Sequence, residues 1–470
     1  MWTFLVSSSV VVLYGVAVFF GIRAAQTART PQGAVGWVVF LLAAPFFAVP
    51  AYLVLGHHRF KGYRIARTES QRVVAGIRAL SKQVAPTAGS IRPDPRPFED
   101  LAGMPVVRGN SAKLLVDGTE TFDAILAAID SAQSYILVQF YIVRDDRLGR
   151  TLRDRLIQAA ARGVHVRFMT DAIGSYQLSG AFYEHMSDHG IDVADPHQQR
   201  GPNWRFQINY RNHRKTVIID GLVGFIGGHN VGCEYLGEDP DFGHWRDTHV
   251  QLEGPVTNQL QLIFAEDWHW ARDEDILDDL YWQVEPFEGG MDALIVATGP
   301  SDRTESGSMM FFSAIAAAQE RIWVASPYFV PDLDILSALK HAAMRGIDVR
   351  LLVPDMIDHR APWLAAFAYF DEVCEAGVKV FRYTGGFMHQ KVFLVDDTLA
   401  AVGTSNLDNR SFRLNFEAMA LVFDPRAAEA VADMLTQDFA LSYELLKTLD
   451  LQPPHIRYGA PLARLLAPVL

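Results

Sequence analysis

Cysteine is nearly absent from this 470-residue chain: Cys233 and Cys374 are the only two, which excludes a disulfide framework and a cysteine-rich zinc site. Positive charge is in deficit too. The 42 Lys and Arg face 54 Asp and Glu, a net charge of −12, so the chain lacks the basic surface of a general nucleic-acid binder. Charge of either sign is missing from residues 2–22 and 34–55, and acidic residues are missing from the first 68 positions. Those 68 residues hold six Lys or Arg, so the remainder of the chain carries −18. What is abundant is apolar. Half the residues (50%) are hydrophobic, enough for a large core and incompatible with disorder. A length of 470 residues predicts more than one domain.

Each uncharged run matches the roughly 20 residues that cross about 30 Å of hydrocarbon as a helix, and soluble helices rarely lack charge on every face. The runs predict a two-helix transmembrane hairpin turning through residues 23–33. Pro45 and Pro50 predict a kink or an irregular end in its second helix, and Trp37 and Tyr52 should sit near the water interface. No basic leader precedes the first run, unlike a signal peptide. Arg23 and Arg29 lie in the turn, whereas Arg59, Lys61, Arg64, Arg67 and Arg72 follow the second run. This excess predicts that both termini and everything downstream are cytoplasmic. Residues 1–68 therefore read as a hairpin plus a basic juxtamembrane segment facing anionic headgroups. Residues 69–105 read as a linker, helical at first and ending in the extended Arg92-Pro93-Asp94-Pro95-Arg96-Pro97.

The rest of the chain is internally duplicated. Residues 135–171 (YILVQFYIVRDDRLGRTLRDRLIQAAARGVHVRFMTD) and 321–355 (RIWVASPYFVPDLDILSALKHAAMRGIDVRLLVPD) follow one plan. Each has an apolar strand, an amphipathic helix, a glycine (Gly163, Gly346) and a second strand ending in an acid. This βαβ pattern predicts an α/β fold with two lobes, over residues 106–285 and 286–450. Further on, His213-Arg214-Lys215 is followed by Asp220, Gly227 and Asn230, and His389-Gln390-Lys391 by Asp396, Gly403 and Asn406. All five positions repeat at one offset of 176 residues, so H-x-K-x4-D-x6-G-x2-N occurs twice.

The residues after each lysine, Thr216-Val217-Ile218-Ile219 and Val392-Phe393-Leu394-Val395, predict strands. Alternate strand residues share a face, so His213 points with Lys215 and His389 with Lys391. Asp220 and Asp396 have the opposite parity and complete the motifs as structural acids rather than direct participants. After the turn, Asn230 and Asn406 come back beside the His–Lys faces. Lysine charge, an amide donor and an imidazole together suit a phosphate group. The expected phosphate ligands are Lys215, Asn230, Lys391 and Asn406, and the expected reacting groups His213 and His389. His229, His244 and His249 lie nearby, but no metal-binding spacing accompanies them and two lysines would repel a cation, so neither metal nor other cofactor is expected.

With both motifs intact, the sequence resembles the phospholipase D superfamily, whose signature is this doubled HKD motif, and within it the bacterial cardiolipin synthases. The resemblance is carried by RNHRKTVIIDGLVGFIGGHNVGCEYLG, WRDTHVQLEGP, SPYFVPD and HQKVFLVDDTLAAVGTSNLDNRSFRLNFEAMALVFDP, and by the N-terminal uncharged runs, so it spans nearly the entire chain. It implies two pseudo-symmetric phospholipase D-type lobes sharing one active site, behind a multi-pass anchor in the bacterial inner membrane. It implies that one His attacks the phosphodiester phosphorus, forming a phosphohistidine, while the other protonates the leaving alkoxide. The resemblance points to His213 as nucleophile and His389 as acid and base, an assignment the duplicated sequence alone leaves open.

Glu417, in LNFEAMA, matches the family acid that orients a motif His; the first half has no Glu at the same offset, and Asp247 in WRDTHV is the expected substitute. The implied reaction moves a phosphatidyl group from one phosphatidylglycerol to another and releases glycerol. Its partners are membrane phospholipids, not nucleic acid. The alternative is a membrane-bound phospholipase D that transfers to water and yields phosphatidic acid. A nuclease fits poorly with the acidic body, and a catalytically dead scaffold with two intact motifs. The apolar tail, residues 451–470, is expected either in the membrane interface or packed on the second lobe.

Overall fold

The computed structural model describes residues 2–28, 30–56, 70–83, 91–194, 210–302 and 304–470. They fall into an N-terminal unit and a larger one. In the N-terminal unit the first uncharged run is a helix, Trp2–Thr27, of which Ser8–Thr27 is long and apolar enough to cross a membrane. The second run differs from the single spanning helix the sequence predicts, with the irregularity its prolines announce taking the form of a break. It forms two short helices, Pro31–Ala43 and Pro45–Leu55, so one membrane-length helix is present among the described residues rather than two. The break is Ala44, at φ −140° and ψ 61°. The Pro45 ring drives its predecessor out of the helical region, then starts the next helix, where its missing N–H costs nothing. Pro50 is accommodated inside that helix. Ala17, Ala24, Leu41, Ala48 and Tyr52 bury one another between the three helices, and the Trp37 ring meets Tyr52 edge-on at 5.0 Å. These two aromatics therefore pack inside the unit. Arg29, Arg59, Lys61, Arg64 and Arg67, on which the orientation rests, lie outside the described residues.

In the larger unit the segment preceding the first lobe is docked. Phe98, in the helix Arg96–Ala102, is buried against Phe423, and Val74 and Ile77 of the helix Gln71–Gln83 join the same core. Arg72 pairs with Asp278 at 2.5 Å.

The first lobe supplies β1 (Val107–Val116), β2 (Tyr135–Phe140), β3 (His165–Thr170), β4 (Asp192–Ala194), β5 (Arg211–Asn212), β6 (Thr216–Ile219), β7 (Val223–Gly227), β8 (Trp245–Arg246) and β9 (Thr248–Glu253). The second supplies β10 (Met291–Thr298), β11 (Arg321–Ala325), β12 (Phe329–Val330), β13 (Asp348–Pro354), β14 (Lys379–Tyr383), β15 (Phe387–Met388), β16 (Val392–Val395), β17 (Leu399–Gly403), β18 (Leu407–Asp408), β19 (Asn415–Phe423) and β20 (Ser442–Glu444). Outward from the central antiparallel pair β1·β10, the order is β9-β7-β6-β2-β3-β4 on one side and β19-β17-β16-β11-β13-β14-β20 on the other. The two halves match strand for strand until β20. The duplicated sequence is thus a duplicated fold, with the lobes as halves of one mixed sheet.

Local chemistry repeats with the topology. Asp146 and Asp332 cap the helices Arg147–Ala161 and Leu333–Met344 by accepting from Gly149 N and Ile335 N. Gly163 and Gly346 follow those helices at φ 90° and 86°, a left-handed conformation that favours glycine. β2, β6, β16 and β19 are buried along their whole length, as strands covered on both faces must be. The tail packs on the second lobe along one face and leaves apolar side chains exposed on the other. Ile456, Ala460 and Ala463 of the helix Pro454–Arg464 are buried, that helix packing on Arg360–Cys374, while Tyr458, Leu462 and Leu465 stand 67%, 68% and 75% exposed.

Candidate active site

Both motif histidines reach their positions by a strand exchange between the lobes. Just before His213, β5 adds to the start of β19 as a two-residue parallel ladder, and the His213 N–H donates to Phe416 O at 2.9 Å. Just before His389, β15 adds in the same way to β8, and the His389 N–H donates to Arg246 O at 2.8 Å. The next residue on each receiving segment is an acid, Glu417 or Asp247. Each acid consequently meets the histidine of the other lobe. His213 Nδ1 lies 2.9 Å from Glu417 Oε2, and His389 Nδ1 lies 2.8 Å from Asp247 Oδ2. Sequence order would pair each acid with its own half; the structure crosses them. Committing Nδ1 to a carboxylate leaves Nε2 of each ring for the site.

The acids are themselves held. Glu417 is fully buried and accepts from Thr404 Oγ1 at 2.6 Å and Asn415 Nδ2 at 3.0 Å. Asp247, equally buried, accepts from Thr248 N at 2.8 Å. Gly228 occupies the position of Thr404 in the other lobe, and a Cβ there would stand 2.0 Å from Asp247 Oδ1. The motif glycines act similarly: a Cβ on Gly227 would meet Thr248 O at 2.4 Å, and one on Gly403 would meet Ala418 O at 2.3 Å. Both let the second motif strand lie close to the acid-bearing strand.

Lys215 and Lys391 are buried on the histidine faces. Lys215 Nζ donates to His213 O at 2.6 Å and lies 5.2 Å over the Tyr141 ring, which in turn meets the His213 ring at 4.8 Å. Lys391 Nζ donates to His389 O and lies 2.9 Å from His389 Nδ1. Burial dominates the electrostatics. It lowers Lys215 to about 7, with Glu417 opposing and Lys391 assisting, and Lys391 to about 8, with Asp247 and Glu417 opposing. Burial lowers His213 to about 4, with Glu417 opposing and both lysines assisting. His389 is held well below its usual value by burial, Lys391, Lys215 and His213, with Asp358 opposing. For Glu417, burial pushes upward, but His213, Lys215 and the Thr404 hydroxyl outweigh it and keep the carboxyl below its usual range. The two motifs thus feel each other's charge across the lobe boundary. An anion placed among them would relieve the repulsion.

Asp220 and Asp396 face away from the histidines. Asp220 accepts from the backbone N–H groups of Gln133, Ser134 and Tyr135 at 2.7–2.9 Å, and Asp396 from those of Gln319, Glu320 and Arg321 at 2.8–3.1 Å. Each pins the start of β2 or β11 from a left-handed turn, at φ 55° and 50°. Asn230 accepts from Ile142 N at 3.1 Å and donates to Tyr235 OH at 3.2 Å, whereas Asn406 Oδ1 is buried without a protein partner. The remaining histidines are occupied elsewhere: His229 and His249 contact each other through Nδ1 at 3.2 Å, and His244 contacts Asp117 Oδ2 at 2.7 Å.

Sequence reading missed the residues beneath the site. Arg214, between His213 and Lys215, is buried with Asp267 at 2.6 Å, and Arg246 is buried with Asp438 at 2.7 Å, where Gln390 also donates. Strand parity signals that Arg214 and Gln390 point away from the histidines, but not that ion pairs receive them. Thr404, Asn415 and Tyr141 carry no motif.

The comparisons with known proteins point to one family. The family described as cardiolipin synthase, phospholipase D-like domain, matches residues 125–268 and 311–439. Cardiolipin synthase A of Pseudomonas syringae pv. syringae (strain B728a) is 44% identical over 457 residues, covering 96% of this chain and 95% of its own. Cardiolipin synthase A of Pseudomonas putida (strain F1) is 42% identical over 478 residues, covering 97% and 98%. Among solved structures, phosphatidylserine synthase of Haemophilus influenzae Rd KW20 superposes with a TM-score of 0.63 at 15% identity, over 81% of this chain and 100% of that one, a likeness of fold.

Proposed function

The chain belongs to the cardiolipin synthases of phospholipase D type, and from that premise we propose how its residues make the product. It is a phosphatidyltransferase acting on membrane phospholipids. In the first half-reaction His213 Nε2 attacks the phosphorus of phosphatidylglycerol and the bond to the glycerol oxygen breaks. His389, as imidazolium, gives its proton to that oxygen and glycerol leaves. In the second half-reaction His389 takes the proton of a hydroxyl on a second phosphatidylglycerol. The freed oxygen attacks phosphorus, the P–N bond breaks, and cardiolipin forms with His213 restored.

Glu417 offsets the positive charge that His213 gains while bonded to phosphorus. Lys215, Lys391 and the side-chain amides of Asn230 and Asn406 receive the phosphoryl oxygens. Seating the phosphate anion between the lysines raises the depressed histidines, and the nearby Asp358 favours charging at His389. Asp220 and Asp396 act only by pinning the strands that carry the motifs. The observation that best supports this reading is the pair of crossed His–carboxylate contacts, because they join both motifs in one place.

Both substrates live in a bilayer, which accounts for an apolar N-terminus. In this reading Trp2–Thr27 crosses the inner membrane and the two helices of the second run return, leaving the lobes in the cytoplasm. The exposed Tyr458, Leu462 and Leu465 of the tail seat the second lobe in the headgroup layer.

The test is incubation of the purified full chain with labelled phosphatidylglycerol vesicles in the presence of a chelator. Cardiolipin and free glycerol in equal amounts are expected. Phosphatidic acid as sole product would replace the transferase by the hydrolase; complete dependence on added divalent metal would refute a reaction run by two histidines alone.

A further inference from the structure

Cardiolipin contains two phosphodiesters joined by a single glycerol. When the acceptor's hydroxyl attacks, the acceptor's own phosphate does not react, yet it sits one three-carbon bridge from the reacting phosphorus and carries a negative charge. The motif lysines and asparagines are occupied by the reacting phosphate. A second cationic group beside the first site, on the side where the acceptor enters, would hold that charge.

The internal duplication shows which side. At the common offset of 176 residues, Arg211 corresponds to Phe387, and Arg410 to Glu234. The His213 half therefore carries two guanidinium groups where the His389 half carries a phenyl ring and a carboxylate. The fold brings the two arginines together. Arg211 lies on β5 opposite Asn415, two residues before His213, and its N–H points to Leu414 O at 3.4 Å. Arg410 lies in the helix Asn409–Arg413 that leads into the same strand, and its carbonyl accepts from Leu414 N at 2.8 Å. Arg410 is fixed at its far end: Nη1 donates to Val469 O at 3.1 Å and the backbone N–H to Leu470 O at 2.7 Å. Tyr141, whose ring meets His213 at 4.8 Å, hydrogen-bonds Arg211 and feels the charge of both arginines. Both side chains are part-buried. Burial and the neighbouring Arg211 lower Arg410 from its ordinary value, while Tyr141, Asp408 and Asp171 oppose them.

We propose that Arg211 and Arg410 form a second anion subsite beside His213, which holds the phosphodiester of the acceptor lipid while its glycerol hydroxyl attacks the phosphatidyl-histidine. Guanidinium forks suit this task, because they bind phosphate oxygens in a fixed orientation. The subsite separates acceptor from water: a lipid gripped by its phosphate delivers its hydroxyl to phosphorus, and water has no such handle. The inference rests on the two-step transfer proposed above.

The test is a competition within one vesicle. Phosphatidylglycerol serves as donor and acceptor, and 1-monoacylglycerol is included as a rival acceptor presenting the same hydroxyls without the phosphate. The readout is the ratio of cardiolipin to the phosphatidyl-monoacylglycerol product, for the full chain and for Arg211→Gln, Arg410→Gln and both Lys variants. A ratio lowered about tenfold to a hundredfold by each Gln variant, and largely restored by Lys, is expected for loss of charge-assisted phosphate contacts. An unchanged ratio, whatever happens to total turnover, overturns the subsite. So does a Gln variant that melts like the parent and forms neither product, since the arginine would then serve the first half-reaction. A parent chain that yields only phosphatidic acid overturns instead the transfer reading beneath the inference.

Discussion

Replacing Glu417 by glutamine isolates the electrostatic part of the crossed contact. Glu417 is fully buried and accepts from His213, Thr404 and Asn415 at 2.9, 2.6 and 3.0 Å. Glutamine keeps the volume and one acceptor oxygen but removes the charge that balances His213 as its ring becomes positive on bonding to phosphorus. A buried charge-assisted hydrogen bond contributes about 1.5–3 kcal/mol, which corresponds to a rate loss of about tenfold to 150-fold if the bond strengthens only as His213 charges. The assay is the initial rate of cardiolipin formation from labelled phosphatidylglycerol vesicles over a range of surface concentrations. We expect Glu417→Gln to lower kcat by that factor with little change in KM. Glu417→Ala should be worse, because it strands the buried Thr404 and Asn415 donors as well. A folded Glu417→Gln protein with kcat within about twofold of the parent would refute the coupling between this carboxylate and His213.

Asp220→Asn should lower the melting temperature, by the equivalent of about 1–3 kcal/mol for its weakened backbone contacts, while the folded fraction keeps its turnover; loss of turnover without loss of stability would place Asp220 in the chemistry. Gly228→Ala should lower the melting temperature by the equivalent of about 1–3 kcal/mol and cut the activity of the folded fraction, since its Cβ would stand 2.0 Å from Asp247 Oδ1 and push that carboxylate off His389. Activity like the parent's would show that the Asp247 contact is dispensable. Lys215 and Lys391 titrate near 7 and 8 in the empty site. An anionic substrate raises both, so binding is strongest below pH about 7 and weakens as pH rises through these values, KM climbing up to about tenfold per unit for each lysine that must regain its proton. A KM that stays flat from pH 7 to 9 would contradict this. With the full chain reconstituted in phosphatidylglycerol vesicles, a polarity-sensitive fluorophore attached at Leu462→Cys should be quenched by brominated lipid; emission as from water, with no quenching by the lipid, would remove the tail from the interface.

The features legible in the sequence were those set by local rules. Strand parity separates His213 and Lys215 from Asp220, and in the structure Asp220 does turn to the backbone of residues 133–135. The repeated βαβ pattern appears as two matching half-orders of strands. Pro45 signals an irregularity, which the structure resolves as a full break at Ala44. What stayed hidden depends on pairings between distant segments. The ladders β5·β19 and β15·β8 are only two residues long and leave no periodicity, yet they decide that Glu417 meets His213 and Asp247 meets His389. Arg211 and Arg410 are equally silent, because each looks like an ordinary surface arginine until the fold sets both beside Tyr141.

The central claim is a phosphatidyl group carried by His213 of a site built from both lobes. Its most direct test is a rapid quench of the full chain with phosphatidylglycerol vesicles labelled at phosphorus, followed by digestion and mapping of the acid-labile label. The account predicts label on the peptide containing His213, absent from His213→Ala, enriched in His389→Ala if glycerol still departs, and chased into cardiolipin by unlabelled phosphatidylglycerol. A label that maps to any other residue, or turnover retained by His213→Ala, would contradict it.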